Sequence, residues 1–408
     1  MQPALPTRRL LFLASLALVV TPPAGWATGR QFAYVTNAVS DTLSVIDTGA
    51  NAVIQTVALP TGTFPQGVAV APDGATVYVT GTSGAAGTVL VLNAAKAAAG
   101  ASDALRTSIT VGQGPERVTL TPDGANAYVT NSISNTVSVI DPATEVVTDT
   151  IDVGLDPFGL AVMHSGTDLY VTVAGSQSVA IVNTATHKLG STPVAVGTRP
   201  RAVVFSPDDL LAYVVNAGSN TLSVVRTDHR TAIATIPVPD GAVAQDLALS
   251  PSGALAYVVT AGGPPNFAGT VVVIDTARRI VTDRIAVGSN PQNIALSADG
   301  SAAYVTNSRS NTVSVVDIET KSVRRVIPVD LSPQTIALAP PFAACVGDCN
   351  GDGEVTVDEL LTGIDMALGS VSASGCPGLA RSGAAVTVAD LLLAISNALD
   401  GCAAAVTP

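Results

Sequence analysis

The densest group of chemically capable side chains in the sequence is DCNGDGEVTVDE, residues 348–359. Asp348, Asn350 and Asp352 fall at alternate positions, Gly353 permits a sharp turn and Glu354 offers its backbone carbonyl. Thr356 stands at the ninth place and Glu359 at the twelfth, where a carboxylate can bind in bidentate fashion. Hard oxygens at this spacing around a flexible loop suit calcium, which takes about six to eight of them. A chance acidic turn would not match so many specified positions. Calcium is the expected cofactor, with these six residues as its ligands.

The segment around the loop repeats with a period of 31 residues. Cys345 corresponds to Cys376, Val355-Thr356-Val357 to Val386-Thr387-Val388, and Leu360, Leu361, Ile364 and Leu368 to Leu391, Leu392, Ile395 and Leu399. The leucine and isoleucine spacing predicts one apolar stripe on a helix in each copy. Pro340, Pro341 and Gly347 leave no room for a helix before the first loop, so each unit reads as loop then helix. In the second copy the ligand places hold Leu379, Arg381 and Gly383, with Ala384 at the turn and Asp390 at the end, so one calcium is expected. All four cysteines, Cys345, Cys349, Cys376 and Cys402, lie in this region. An even, clustered set in an exported chain predicts two disulfides, with three pairings open.

What precedes this module is a tandem array. The phrase YVTN or a close variant recurs at Tyr34, Tyr78, Tyr128, Tyr170, Tyr213, Tyr257 and Tyr304, at spacings of 42 to 50 residues. That period fits four-stranded blades and not helical repeats. In the best-formed copy, residues 115–154, four β-branched runs are separated by a PDG turn, an NSISN loop and a DPAT turn. The run TVSVI mixes apolar with small residues without strict alternation, as expected of strands buried on both faces. Residues 32–37 read as a second strand with no first strand before it, and residues 333–340 as a first strand with no second after it. Pairing them completes one blade and removes the exposed inner edge. The fold class expected is therefore an all-β seven-bladed propeller with a small α-helical C-terminal domain. Domain limits are 1–27 for a signal peptide, 28–342 for the propeller and 343–408 for the calcium module.

The pattern YVTN…SNTVSVID…VGxxPxxxxLxPDG resembles the YVTN family of bacterial β-propellers over about three quarters of the chain. The resemblance implies export and a propeller fold, and is compatible with surface or secreted binding proteins and, more distantly, with lactonase-like enzymes. The C-terminal EF-hand loop followed by a helix, in duplicate, resembles the type I dockerin. That resemblance implies calcium-dependent docking to a cohesin-like protein receptor, although the cysteines and the degenerate second loop depart from it.

Propellers commonly bind ligands where the loops entering the innermost strands converge. Those entry positions hold Gln66, Glu116 with Arg117, Phe158, Arg201, Gln245 with Asp246, Gln292 with Asn293, and Gln334. They vary from blade to blade while the Tyr and the PDG turn recur. The candidate ligand contacts are Gln66, Glu116, Arg117, Arg201, Asp246, Gln292 and Asn293, set against the plainer reading that these are solvated loop residues. The insertion at residues 260–270 falls on the same face and could overhang the channel. A second, Ala-rich insertion at residues 93–107 falls on the opposite face and reads as mobile decoration. His164, His187 and His229 lie in turns that are not expected to converge. No haem-attachment, zinc-protease, nucleophile-elbow or phosphate-loop motif is present in the sequence. Glu116 and Asp246 lie three blades apart, and no catalytic residue is assigned.

Residues 1–27 carry Arg8 and Arg9, an apolar run over 10–20, Pro22-Pro23 and small residues ending at Ala27, the layout of a cleaved export signal. The ordinary secretory route is favoured over the twin-arginine one. Cleavage deepens the formal charge from −12 to −14 and removes the single tryptophan, Trp26. With 12% charged residues and no basic surface, nucleic acid and anionic lipid are excluded as partners. A monomeric ring without a membrane span in the mature chain, secreted, periplasmic or on the cell surface, is the expected setting. The functional expectation is a non-enzymatic binding or scaffold ring tethered to an extracellular partner by its calcium module. The alternative is a lactonase-like or polysaccharide-processing enzyme with its site at the channel mouth.

Overall fold

In the computed structural model, residues 31–340 are described apart from 84–85, 191 and 239–241, together with 357–367, 391 and 394–395. Seven antiparallel sheets follow one another around a ring. Six are built from consecutive segments: blade 1 begins at Val68–Val70, blade 2 at Pro115–Leu120, blade 3 at Pro157–Val162, blade 4 at Pro200–Phe205, blade 5 at Val243–Leu249 and blade 6 at Pro291–Leu296. The seventh takes its innermost strand, Pro333–Leu338, from the end of the ring and its other three, Phe32–Asn37, Thr42–Asp47 and Ala52–Ala58, from the beginning. Val35 faces Ile336 and Tyr34 faces Ala337, so the closure expected from the truncated end repeats is present.

The repeat residues each answer a packing demand. All seven tyrosines are buried, and a buried phenol needs a hydrogen-bond partner. Tyr34, Tyr128 and Tyr304 each reach into the following blade, donating to the carbonyls of Ala94 at 3.2 Å, Thr184 at 3.3 Å and Thr48 at 3.3 Å. The YVTN threonine bridges blades on the channel side. Thr36, Thr80, Thr130, Thr172 and Thr306 donate to the carbonyls of Gln66, Glu116, Phe158, Arg201 and Gln334, each in or just before the next innermost strand. The asparagine works within its own blade. Nδ2 of Asn131 donates to Thr136 and Ser138, and Asn37, Asn216 and Asn307 repeat that pattern.

The loop between second and third strands ends on a residue with positive φ: Asp41, Asn135, Gln177, Asn220 or Asn311. Asn and Asp tolerate that conformation because their short side chains bond locally. Here they also fasten the next blade, since Asn135 Oδ1 accepts the Asp156 N–H and Asn311 Oδ1 the Ser332 N–H. The repeated SNT phrase is thus a clamp on each neighbouring entry loop.

Two insertions behave differently from the sequence expectation. The Ala-rich insertion folds into a short helix, α1 (Ala94–Ala99), capped by Asn93 Oδ1 accepting from the Lys96 N–H at 2.8 Å and closed by left-handed Gly100. Ala94, Ala97 and Ala98 join the apolar cluster shared by blades 7 and 1, so the small side chains that looked like decoration allow close packing. The insertion around Phe267 turns toward blade 6 and not over the channel. Phe267 O accepts from the Asn290 N–H at 2.9 Å, and the Arg309 guanidinium lies 3.6 Å from the Phe267 ring centre.

Beyond the ring, α2 (Val357–Ala367) is helical, with Glu359 and Met366 buried. Residues 391, 394 and 395 are also helical. The expected signal peptide, the cysteines and the calcium ligands Asp348, Asn350, Asp352, Glu354 and Thr356 lie outside the described residues. Among the described residues no helix is long and apolar enough to cross a membrane.

Replacing Asn307 by alanine removes the donors that tie the second and third strands of blade 6. Ser314, which is buried, then loses a partner that water does not replace. Asn307→Ala should lower unfolding stability by about 1–3 kcal/mol, read from chemical denaturation.

Candidate functional site at the channel mouth

Each innermost strand opens on a variant of Pro-x-y-apolar: PERV in blade 2, PFGL in blade 3, PRAV in blade 4, AQDL in blade 5, PQNI in blade 6 and PQTI in blade 7, with PQGV leading into blade 1. In blades 2 to 7 the pairing register shifts within this phrase. Such a bulge re-aims side chains that strict alternation would send to opposite faces. The x and y residues accordingly form one collar. Gly159 takes the y position in blade 3 because a Cβ there would lie 2.1 Å from the Arg201 carbonyl oxygen of the next strand.

The collar has two unlike halves. Blades 2 to 4 supply Glu116, Arg117, Phe158 and Arg201. The Arg201 guanidinium lies 4.1 Å and that of Arg117 5.5 Å from the Phe158 ring centre, so one ring is shared by two cations. The remaining blades supply Gln245, Asp246, Gln292, Asn293, Gln334, Thr335 and Gln66, an arc dominated by amides. Gln66, Gln292 and Gln334 turn their Nε2 groups onto nearby carbonyls of Phe64, Asn290 and Ser332.

The residues expected here from sequence are therefore brought together around one opening, but they are not freely solvated loop groups. Gln245, Asp246 and Asn293 are each only 9% exposed. Asp246 Oδ2 accepts from Asn293 Nδ2 and from the Ile294 N–H at 3.2 Å, and Asn293 Oδ1 accepts from the Ile336 N–H at 2.9 Å. This chain runs through the innermost strands of blades 5, 6 and 7. It spans the seam where blade 5 has Val259 in the threonine place, so Asp246 supplies there the lateral bond that Thr supplies elsewhere.

Burial sets the electrostatics. It pushes the carboxyls of Glu116 and Asp246 up, with Arg117 opposing in both cases. It pushes the guanidinium of Arg117 down and that of Arg201 down to about 10. Glu116 also accepts from Ser132 Oγ at 3.1 Å. The sequence held no sign that either carboxyl would be raised, because the bulge that buries them is a property of the paired strands. Three collar atoms are buried without a partner: Arg201 Nε, Gln245 Oε1 and Thr335 Oγ1.

The histidines stand apart from the collar, as their turns predicted. His164 Nδ1 is 2.7 Å from Asp209 in the equivalent turn of blade 4, His187 packs edge-on against Tyr128, and His229 lies beside Asp228. Among the described residues no group of three or more His, Cys, Asp or Glu could hold a metal.

A family model described as "Lactonase, 7-bladed beta-propeller" matches residues 87–234 and, overlapping, 159–326, together more than half of the chain. The chain belongs to the seven-bladed lactonase family. Both matched stretches carry collar residues of this lactonase-family ring, Glu116, Arg117, Phe158 and Arg201 in the first and Arg201, Asp246 and Asn293 in the second. The YVTN pattern remains a resemblance of the repeats. A search of curated proteins gave no sequence match. Among solved structures, similar ones include the periplasmic gluconolactonase of Pseudomonas aeruginosa, at 17% identity and TM-score 0.62, covering 76% of this chain and 99% of that one. A Bacteroides uniformis protein described as a candidate 6-phosphogluconolactonase is similar at 15% identity and TM-score 0.63, covering 76% and 100%. Hydrazine synthase of Kuenenia stuttgartiensis is similar at 20% identity and TM-score 0.61, covering 68% and 90%. At these identities the likeness is one of fold.

The raised Glu116 carboxyl gives a signed pH test. A carboxyl held above its unfolded value contributes stability that is present below about pH 4, the ordinary carboxylate range, and is lost as pH rises through the folded value. Glu116→Gln escapes that loss. Its stability relative to the parent should rise with pH above about 4, measured from denaturant midpoints across a pH series.

Proposed function

We propose that this chain is a lactonase-like hydrolase that opens a small cyclic ester at the channel mouth. The observation that carries the reading is the meeting of Glu116, its carboxyl raised by burial, with two guanidiniums that flank Phe158. Membership of the lactonase family supports it, as does the fold shared with proteins described as gluconolactonase and 6-phosphogluconolactonase.

The chemistry such a group supports is water attack on the ring carbonyl. Glu116, when ionised, takes a proton from water as the new C–O bond forms, a role favoured by a carboxyl shifted toward neutral pH. Arg201 and Arg117 offer donors to the oxyanion that develops on the carbonyl oxygen, in a site where burial strengthens each charge. When the ring C–O bond breaks, the departing oxygen takes up the proton from Glu116 and the product is an open hydroxy acid. Phe158 supplies an apolar wall, and the amide arc can bond ring hydroxyls.

The same proposal keeps a tether for the C-terminal module, in place of the non-enzymatic scaffold as the main role. Residues 348–359 are proposed to bind one calcium through Asp348, Asn350, Asp352, Glu354, Thr356 and Glu359. The helix α2 supports this, since it opens at Val357 and buries Glu359 in its first turn, where the twelfth ligand belongs. A dockerin-like role toward a cohesin-like receptor outside the cytoplasm follows from the resemblance and the export signal.

Two measurements test these readings. Glucono-δ-lactone added to the purified full-length chain should be hydrolysed above the buffer rate, read as acid release, and Glu116→Gln should lower kcat by about 100-fold or more. A parent protein no faster than buffer, across a panel of sugar lactones, would refute the enzyme. Calorimetric titration of the full chain with calcium should show one site; two sites of similar affinity would contradict the reading of the second loop.

A further inference from the structure

We infer that the rim of the mouth over blades 7 and 1, formed by Phe64, Val39 and Leu331, is an apolar shelf that binds the hydrocarbon substituent of an uncharged cyclic ester. This deepens the hydrolase reading and rests on it for the ester ring, though not for the shelf.

Phe64, Val39 and Leu331 are 53%, 62% and 51% exposed. Single exposed apolar side chains are ordinary on a protein surface, but these three stand on loops that are pinned side by side. The Val39 N–H donates to the Leu331 carbonyl at 3.2 Å, and the Asp41 carboxylate, two residues after Val39, accepts from the N–H groups of Gly62 and Phe64, each at 2.7 Å. The shelf also runs on into the collar. The Phe64 carbonyl accepts from Gln66 Nε2 at 3.3 Å, and the next residue abuts blade 2, since a Cβ on Gly67 would lie 2.5 Å from the Glu116 carbonyl oxygen. Across the mouth the places matching Leu331 hold Thr198 and Ser289, and the place matching Val39 in blade 6 holds Arg309. The rim is thus apolar beside the Glu116 loop and polar opposite it.

The backbone of Phe64 adds a separate reason. Its φ is +44°, a left-handed conformation that crowds any bulky side chain. The same place before proline holds Gly114, Asp156 and Asn290 in blades 2, 3 and 6, also at positive φ, and those types accept it at little cost. Phe64 gains little packing in exchange, because it is half exposed and joins none of the apolar clusters of blades 7 and 1. A strained residue kept at the edge of a site points to a contact made there with something other than the fold.

Size and charge select the occupant. Three half-exposed side chains offer a small part of the ~800 Å² that each partner buries in a stable protein complex, so the shelf suits a short alkyl chain or an aryl ring better than a second copy of the chain. No charge on the shelf calls for an ionic substituent: Asp41 is taken up by the loop N–H groups, and Asp330 accepts from Thr42 Oγ1 at 2.8 Å. An ester ring seated at Glu116 would extend its hydrocarbon substituent over Phe64 toward blade 7.

The test uses two cyclic ketones, 2-pentylcyclohexanone and cyclohexanone, which keep the six-membered ring and carbonyl of a δ-lactone but have no bond to hydrolyse. Each is titrated against the full-length protein by saturation-transfer NMR. The pentyl compound should bind about tenfold more tightly or better, since each methylene removed from water adds to affinity. Phe64→Gly should bring the two within about twofold. It should unfold at the same or a higher denaturant midpoint, because glycine accepts the left-handed backbone and the Asp41 bond is to the main chain. Leu331→Ser is the substitute if the glycine variant does not fold, and should cut the preference about threefold. Near-equal binding of the two ketones by the parent protein, a preference that survives Phe64→Gly, or a glycine variant that unfolds more readily would overturn the assignment. A parent that sediments as a dimer with a Phe64→Gly variant that sediments as a monomer would also overturn it, by making the shelf a contact between copies. Acid release from δ-valerolactone and δ-decalactone tests the hydrolase separately. Selective ketone binding with turnover of neither lactone would leave the shelf and remove the enzyme, and turnover without selective binding would do the reverse.

Discussion

The antiparallel pairing of Pro333–Leu338 with Phe32–Asn37 is the constraint on which the rest of the ring depends. Each blade is buried on both sides by its neighbours, so an open array would leave two apolar faces and two inner edges in water. Once the last strand enters the first sheet, every innermost strand has a neighbour on each side. The collar exists only in that closed geometry, because its seven x positions converge only when the strands encircle an axis. The bond from the Ile336 N–H to Asn293 carries the closure directly into the polar chain of the channel mouth.

Lateral bonding is distributed unevenly around that axis. Five seams use a YVTN threonine that reaches the next carbonyl, while blades 4 and 5 carry Val215 and Val259 instead. At the second of these the Asp246 carboxylate takes over, at the cost of burying a charge. That charge is answered by Arg117 from across the collar. One substitution in a repeat thus links architecture to electrostatics: the residue that fastens blades 5 and 6 also fixes the charge balance of the mouth. It leaves Arg201 uncommitted to any carboxylate of the protein except at longer range.

The repeat was readable in the sequence because its residues act locally or at fixed offsets. Tyr recurs at every blade, Thr at five and Asn at four, since each meets a like neighbour, and the half-blades at the two ends declared the closure. The positions of the collar were readable too, as the variable residues after Pro115, Pro157, Pro200 and Pro291. Their environment was not. A bulge depends on the pairing of two strands, and the burial of Glu116 and Asp246 depends on six bulges around one axis. The stacking of Arg201 and Arg117 on Phe158 joins three blades, and no spacing rule along one chain encodes it. The helix Ala94–Ala99 carried a local signal, alanine being the strongest helix former behind an Asn93 cap, while its packing against Tyr34 and blade 7 depends on contacts that no local pattern shows.

The division of blade 7 between the two ends of the ring also governs its manufacture. A ribosome delivers Phe32–Asn37 early, with all six residues destined for the interior, and that ribbon has no innermost mate until synthesis reaches Pro333–Leu338. Until that strand pairs, the inner edge of the sheet it completes stays open, so the last ring residues made are the ones that seal the first.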